Sequence, residues 1–384
     1  MWCGHDQTVT ITSHPYVVDS KPVSFYAQAL KAELPANAFA PVPSRLAWLA
    51  LHVAVIVAGT IVVAHGWGGW PVALACALAI GHSFAGCAFV GHETLHGAVV
   101  RDKTWRYVVG WICFLPFNVA PRLWVAWHNR VHHGNTMIDG IDPDSFPTLA
   151  TYRTNKLSRI ADALGFGYRR WAGPVTLLLG FTGQSQQVLW RLARPLAYLP
   201  KREHTMAVLE TLLGFAVWAT VGVLVGGHAF LFVFVIPLCL GNLIVTSYIL
   251  TNHSLSPLGH VNDPLVNSLS VTVPRVVDML HLNFGFHVEH HLFPAMSSKH
   301  GPAVRDLLIK HWPERYQSMS LVRALYTLAT TARVYRDATT LVDPPTGRTW
   351  PTLLPGDPAK RRAAEALAAE SHEVPVVAVA STEG

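Results

Sequence analysis

The sequence predicts an all-α integral membrane protein with four transmembrane helices in two hairpins and a cytosolic helical cap. Of its 384 residues, 51% are hydrophobic and only 14% are charged, whereas soluble domains carry about a quarter charged residues. The apolar residues fall in four long windows, and the basic residues all lie outside the tips that join these windows. A chain with this pattern needs lipid around its surface.

Each apolar window is long enough to cross a bilayer core, which requires about 20 helical residues. The windows cover residues 46–66, 70–90, 206–225 and 229–250. The only charged residue inside them is Glu210. Short glycine-containing tips at 67–69 and 226–228 separate the windows of each pair. We therefore expect two tight antiparallel hairpins, with both tips on the same side of the membrane.

The basic residues predict which side that is. All 29 Lys and Arg residues lie before residue 46, between residues 91 and 205, or after residue 250. Because positive residues are retained in the cytosol, we expect both termini and the long central loop to be cytosolic. Two shorter apolar stretches, 107–120 and 175–192, are expected to lie along the cytosolic membrane face. The net charge of +6 favours contact with anionic lipid rather than with nucleic acid, since no basic stripe is interleaved with aromatic residues.

Histidine is the unusual component of the composition, with 21 residues. Three clusters have the spacing of metal ligands: His92 and His96; His128, His132 and His133; and His287, His290 and His291. In a helix, residues three or four apart share a face. By the predicted topology all three clusters lie at the cytosolic face, where they can meet.

Eight imidazoles on three segments imply more than one metal ion. Imidazole suits Fe, Cu, Zn or Ni by ligand type. A ligand set of this size, divided between two ions with positions left open, favours a non-haem di-iron site over a closed zinc site. The cysteines offer no alternative, because they are five in number and form no C-x-x-C pair.

The three clusters resemble the histidine boxes of the membrane fatty acid desaturase family in spacing, order and topology. Asp142-Pro143-Asp144 after the second box and the sequence from His287 to Pro294 around the third extend the resemblance, which covers roughly residues 45–335. It implies one more ligand after the last span, and His253 stands in that place. The expected metal ligands are His92, His96, His128, His132, His133, His253, His287, His290 and His291, carried by the helical cap around two Fe ions.

The resemblance implies an O2-dependent fatty acyl desaturase that introduces a C=C bond into an acyl chain. Its substrate would be an acyl-lipid or an acyl-thioester. Neither a haem-binding His-Pro-Gly-Gly motif nor a G-x-G-x-x-G fingerprint is present. We therefore expect electrons from a separate donor of ferredoxin or cytochrome b5 type, together with its reductase.

Two other enzyme classes fit parts of the sequence. Membrane di-iron hydroxylases and ketolases, which act on alkanes, sterols or carotenoids, have similar boxes. His92-Glu93-Thr94-Leu95-His96 also matches the H-E-x-x-H signature of zinc proteases, in which Glu93 would be the general base. A protease of that kind leaves most of the other box histidines without a role.

The remaining expectations concern domain organisation. Residues 1–44 are expected to form a cytosolic N-terminal segment, and residues 45–335 a membrane desaturase domain. Residues 336–384 are expected to be a largely disordered C-terminal extension. Histidines outside the boxes, such as His52, His82 and His281, are assigned structural roles. His82 in particular is too deep in its span to join the first box.

Overall fold

The computed structural model describes residues 19–193 and 198–356, and these are mostly helical. Four helical stretches are long and apolar enough to cross a membrane: Pro43–Ala64, Gly69–Leu95, Lys201–Val225 and Gly227–His253. They coincide with the four windows predicted from the sequence, which confirms the expected set of apolar helices. The first three extend beyond the windows mainly at their polar ends.

Sixteen α-helices can be followed in the described part of the chain. They are α1 (Val23–Leu30), α2 (Leu46–Ala64), α3 (Gly69–Leu95), α4 (Lys103–Phe114), α5 (Pro121–Trp124), α6 (Leu149–Thr154), α7 (Lys156–Leu164), α8 (Gly173–Gln187), α9 (Lys201–Val225), α10 (Gly227–Phe230), α11 (Ile236–His253), α12 (Pro264–Asn267), α13 (Arg275–Leu280), α14 (His287–Leu292), α15 (Gly301–His311) and α16 (Leu321–Ala329). Three π-helical segments continue from α5, α8 and α10: Val125–His132, Val188–Leu192 and Leu231–Val235.

Both hairpin tips depend on glycine. Gly68 and Gly69, between α2 and α3, have φ values of 75° and 66°, and Gly226, between α9 and α10, has a φ of 80°. These left-handed conformations cost little for glycine, because it lacks a Cβ atom. The chain can therefore reverse within a few residues, as the sequence predicted.

The second half of α3 is the centre of the fold, and every residue from 83 to 95 is buried. It packs between α2, α4 and α11. Close contact with α11 requires Gly81, where an added Cβ would lie 2.8 Å from Leu240 Cβ and 3.0 Å from the Pro237 carbonyl oxygen. By contrast, Leu209, Leu212 and Leu213 of α9 are about half exposed. An apolar outer surface around a buried α3 suits a lipid environment.

The structure is mostly helical, but it also contains short β-strands that the all-α prediction did not include. β1 (Ser270–Thr272) pairs in parallel with β2 (Ser318–Ser320), with Ser270 opposite Ser318. β3 (Val334–Asp337), β4 (Thr340–Val342) and β5 (Thr349–Pro351) form an antiparallel sheet. These strands are three or four residues long, too short to give a clear alternating pattern in the sequence.

The antiparallel sheet lies across the expected boundary at residue 336. Residues 336–356, which were expected to belong to a disordered extension, form part of β3 and all of β4 and β5. Arg170 fixes this sheet to α7, because its guanidinium lies 2.6 Å from Asp162 Oδ2 and 3.1 Å from Asp343 Oδ1. Residues 1–18 and 357–384, which include the rest of the two expected terminal segments, lie outside the described residues.

The contact at Gly81 gives a stability prediction. Gly81→Ala places a methyl group against Leu240 Cβ and a backbone oxygen, neither of which can swing away, so α3 and α11 must separate. We expect the free energy of unfolding to fall by about 1–3 kcal/mol, the usual effect of overpacking. Gly183→Ala in α8 is the matched control, because nothing lies within 4 Å of its added Cβ. Thermal unfolding in detergent measures both, and equal melting temperatures would contradict this account of the packing.

Candidate metal centre

The structure brings all nine predicted histidines together at one place. They come from four segments that end or begin there: the end of α3, the π-helical segment 125–132 with the residue after it, the last residue of α11, and α14. Each side chain is buried or half-buried. Segments separated by more than 190 residues in sequence therefore converge on a single cluster of imidazoles.

Five of the histidines form the first part of this cluster, called here the five-histidine group: His92, His96, His128, His133 and His290. One ring nitrogen from each lies within 4.8 Å of the others. The Nε2 atom of His128 is 3.2 Å from that of His92 and 3.1 Å from that of His133. The Nε2 atoms of His133 and His290 are also 3.1 Å apart.

The other four form the four-histidine group: His132, His253, His287 and His291. Ring nitrogens of His132, His253 and His291 lie within 4.8 Å of one another. His287 adjoins them, with its Nε2 atom 2.6 Å from Nε2 of His253. The two groups are in direct contact, because the rings of His133 and His291 stack with centroids 4.2 Å apart.

Hydrogen bonds on the outer side of the four-histidine group fix the orientation of three of its rings. Nδ1 of His132 lies 2.9 Å from Asp142 Oδ1, and Nδ1 of His253 lies 2.9 Å from the Asn267 carbonyl oxygen. Nδ1 of His291 lies 3.2 Å from Thr136 Oγ1, whose own proton goes to the His132 carbonyl oxygen. Each outer nitrogen therefore donates, and a neutral imidazole then keeps a lone pair on its inner Nε2.

Converging lone pairs are the test of whether these residues suit metal ions. Nε2 of His96 and Nε2 of His291 are buried without a hydrogen-bond partner in the described part of the protein. Where two facing nitrogens both keep a lone pair, they repel at this distance unless they bind the same cation, and buried nitrogens of this kind need a partner. The donor set therefore fits two metal ions, one in each group.

Burial keeps two of the imidazoles, those of His290 and His291, in the neutral state that a metal requires. It holds the pKa of His290 and of His291 well below the usual range, and the neighbouring histidines add to the effect. Only the neutral ring offers a lone pair to a metal ion. Both side chains are consequently unprotonated at neutral pH.

The π-helical segment explains how the second box serves both groups. The backbone N–H of His133 donates to the carbonyl oxygen of His128, five residues earlier, at 3.0 Å. This wider turn aligns His128 with His133 and directs His132 to the other group. His128 and His132 nevertheless remain close, as their spacing predicts, because a ring nitrogen of each and a carboxylate oxygen of Asp144 lie within 4.8 Å of one another. The third box is divided in the same way, with His290 in one group and His287 and His291 in the other.

Asp142 and Asp144 support His132. Asp142 also accepts from the backbone N–H groups of Met137, at 2.7 Å, and Asp144, at 3.0 Å. Burial alone would raise the pKa of Asp142, but the His132 ring and these donors lower it overall. Asp144 accepts from Trp127 and Gln184, yet burial raises its pKa to about 6. Asp142 is therefore the ionised carboxylate that orients His132.

A second buried carboxylate supports α14. Ser270 Oγ accepts from the backbone N–H groups of His287 and Val288, at 3.1 Å and 3.0 Å, and donates to Glu289 Oε2 at 2.6 Å. Tyr316 donates to the other oxygen of Glu289 at 2.5 Å. Burial raises the pKa of Glu289. Ser270 thus binds the free N–H groups at the start of α14, the helix that carries the third box, although Ser270 itself lies on β1.

Sequence reasoning missed most of these supporting residues. Thr136, Asn267, Ser270 and Tyr316 are ordinary polar residues that no spacing rule selects. Asp142 and Glu289 lie within or beside the boxes, and the signal that could have identified them is a carboxylate next to a cluster of imidazoles. His82 stays apart from the nine, as expected, with its ring 5.4 Å from His281 and 6.2 Å from His52.

Aromatic rings cover the five-histidine group. Trp124 stacks on His128 with centroids 4.2 Å apart, and Phe284 meets the edge of His92 at 5.1 Å. Phe89 packs on Phe284 at 4.5 Å. These rings keep bulk water from the nitrogens on that side.

Glu93 is bound by residues other than the imidazoles, although it lies between His92 and His96 in sequence. Its carboxylate accepts from Ser297 Oγ at 3.1 Å and from the backbone N–H and side chain of Ser298, with the N–H at 3.0 Å. Arg45 Nε lies 3.4 Å from it. A carboxylate held by these donors cannot also be the general base of a zinc protease at His92 and His96.

The comparisons with known proteins agree with this geometry. A protein-family model described as fatty acid desaturase matches residues 68–323, a range that includes all nine histidines. No curated protein matches the chain.

The position of Glu93 leads to a testable prediction. Glu93→Gln keeps the shape of the side chain but removes the charge that Arg45 and the two serines bind. We expect the free energy of unfolding to fall by about 1–3 kcal/mol, while measurable turnover remains. Thermal unfolding and activity of the purified protein measure both. Complete loss of turnover with full stability would contradict a structural role and favour a general base.

Proposed function

The chain belongs to the fatty acid desaturase family, and we propose that it introduces a C=C bond into an acyl chain, using O2 and electrons from a separate donor protein. The observation that carries the proposal is the convergence of nine imidazoles in two adjacent groups, with the inner nitrogens of several rings facing one another. This arrangement fits a non-haem di-iron site better than it fits a site for a single metal ion.

In this proposal each group holds one iron. The five-histidine group would bind one ion through His92, His96, His128, His133 and His290. The four-histidine group would bind the other through His132, His253, His287 and His291. When bound, the two irons supply the activation of O2 that removal of hydrogen from an unactivated methylene requires. The stacked contact between His133 and His291 keeps the two groups adjacent.

The residues of the chain orient the ligands and exclude water. Asp142, the Asn267 carbonyl and Thr136 hold the outer nitrogens of His132, His253 and His291, so the inner lone pairs stay aimed inward. Trp124 and Phe284 present apolar surface beside the five-histidine group. An acyl chain lying against such surfaces would be held in a fixed position relative to the metal ions, which decides the carbon that reacts.

The position of the protein in the cell follows from the four apolar helices and the distribution of basic residues. We propose a multi-pass membrane protein with both termini and the metal centre on the cytosolic side. The substrate would be an acyl-lipid or an acyl-thioester. A ferredoxin or cytochrome b5 type protein with its reductase would supply the electrons.

Metal content is the first test of this proposal. We expect about two iron ions per chain after gentle purification, one for each histidine group. His128→Ala and His291→Ala should each abolish activity and remove iron, because each deletes a nitrogen from a different group. Elemental analysis by mass spectrometry measures the loss. One zinc ion per chain in an active preparation would contradict the di-iron proposal.

Two matched substitutions of aspartate by asparagine test the supporting role of Asp142. Asp142→Asn removes the charge that orients His132, and we expect metal affinity to fall by about 10- to 100-fold. Asp139→Asn in the same loop is the matched control, since Asp139 is not in contact with any of the nine histidines among the described contacts. Iron retention during dialysis against a chelator compares the two variants without depending on turnover.

The product distinguishes desaturation from hydroxylation. Both reactions begin with the same hydrogen abstraction and differ in whether a second hydrogen leaves or oxygen adds to the carbon. We expect a host that expresses this chain with a compatible electron donor to accumulate fatty acids lighter by two hydrogens. Mass spectrometry of the extracted acyl chains makes the measurement. Products heavier by one oxygen atom, without an unsaturated species, would instead identify a hydroxylase.

A further inference from the structure

An open groove separates α4 from α9, away from the nine histidines. Its volume is about 520 Å³, and α5 contributes one of its lining residues, Arg122. Polar and apolar side chains line it in similar number. Contacts between the helices lie within the groove, and charged residues form its mouth.

Three contacts join the helices within the groove. The indole N–H of Trp111 donates to the Glu210 carbonyl oxygen at 3.0 Å. The Glu210 carboxylate pairs with the Arg122 guanidinium, which also lies over the Tyr107 ring at 4.9 Å. The charges of Arg122 and Glu210 therefore compensate each other, and Glu210 is an ion-pair partner inside the apolar helix.

The mouth of the groove carries uncompensated positive charge. Lys103 and Arg202 each lie eight residues before the Trp111 and Glu210 contact, about 12 Å along their helices. Neither forms an ion pair with a carboxylate of the described residues, and both are exposed. The remaining charge at the mouth, Glu203, lies 3.8 Å from Arg130.

The apolar wall of the groove is exposed, and it extends about one helical turn past the Trp111 and Glu210 contact, to Leu213. Val108, Met206 and Leu213 are 43%, 38% and 55% exposed, respectively. Trp105, in the first turn of α4 beside Lys103, is 62% exposed. Exposed tryptophan next to basic residues is typical of the boundary between headgroups and hydrocarbon. The groove therefore combines a cationic mouth with an apolar wall.

We propose that this groove holds an anionic phospholipid of the surrounding bilayer. Its phosphate lies on Lys103 and Arg202, and one acyl chain follows Val108, Met206 and Leu213. The charge and the apolar wall match the two parts of such a lipid, whereas a soluble acidic protein would leave the apolar wall without a partner. The proposal goes beyond the proposed reaction and rests only on the membrane placement that was proposed with it.

Lipid retention by the full-length chain tests the groove. The protein is purified from nanodiscs that contain phosphatidylglycerol and phosphatidylcholine in equal amounts, and bound lipid is counted by native mass spectrometry. We expect wild type to retain phosphatidylglycerol in preference to phosphatidylcholine. The double variant Lys103→Gln with Arg202→Gln should bind phosphatidylglycerol at least about tenfold more weakly, because it removes both of the positive charges that would contact the headgroup.

Two further variants make the result specific. Lys156→Gln with Arg323→Gln also removes two exposed basic residues, but from outside the groove, and should retain lipid as wild type does. Leu213→Trp leaves both charges in place and fills part of the wall, so it should reduce lipid retention through lost space. Iron content and thermal unfolding show whether each variant is folded, and neither depends on turnover.

Several outcomes would overturn the proposal. One is equal retention of the two lipids by wild type. Another is full retention of phosphatidylglycerol by the Lys103 and Arg202 double variant. If that variant keeps its lipid but loses electron transfer from an acidic donor protein, the groove is a protein-docking surface instead.

Discussion

The close packing of nine imidazoles, several with ring nitrogens facing one another, is the constraint on which the rest of this structure depends. Nine rings are packed so that nitrogens of several approach within 2.6–3.2 Å of one another. Where both facing nitrogens keep a lone pair, two conditions must be met: the rings are held from outside, and a cation binds the nitrogens inside. The outer hydrogen bonds to Asp142, Asn267 and Thr136 supply the first condition. Two metal ions, one for each histidine group, would supply the second.

Holding the rings requires buried polar groups that are themselves fixed. Asp263 is fully buried and accepts from the Lys21 backbone N–H, the Tyr26 hydroxyl and the Arg315 guanidinium. It also caps α12 through the Leu265 N–H, and α12 ends at Asn267, whose carbonyl orients His253. The segment that precedes the first span is therefore joined to the metal centre. A buried carboxylate is tolerated here because each of its oxygens has donors.

The sequence predicted the spans and the nine histidines because both signals are local or periodic. A window such as 70–90 is apolar throughout, and His287, His290 and His291 lie at ligand spacing on one short helix. The assignment of rings to two groups was not predictable, because it depends on a π-helical turn at 125–132 that shifts His133 relative to His132. Ser270 and Tyr316 were missed for another reason. They reach α14 through tertiary contacts, which leave no pattern in the chain.

The short helix α5 links the metal centre to the membrane-facing groove. Arg122 in α5 is fixed by Glu210 of α9, and Trp124, two residues later, stacks on His128. The π-helical segment that carries His128 and His132 begins directly after Trp124. Through these two residues α5 contacts both α9 and a predicted iron ligand. Because an unpaired charge is costly at a half-buried site, the ion pair with Glu210 helps to hold α5 in place, which four helical residues alone could not do.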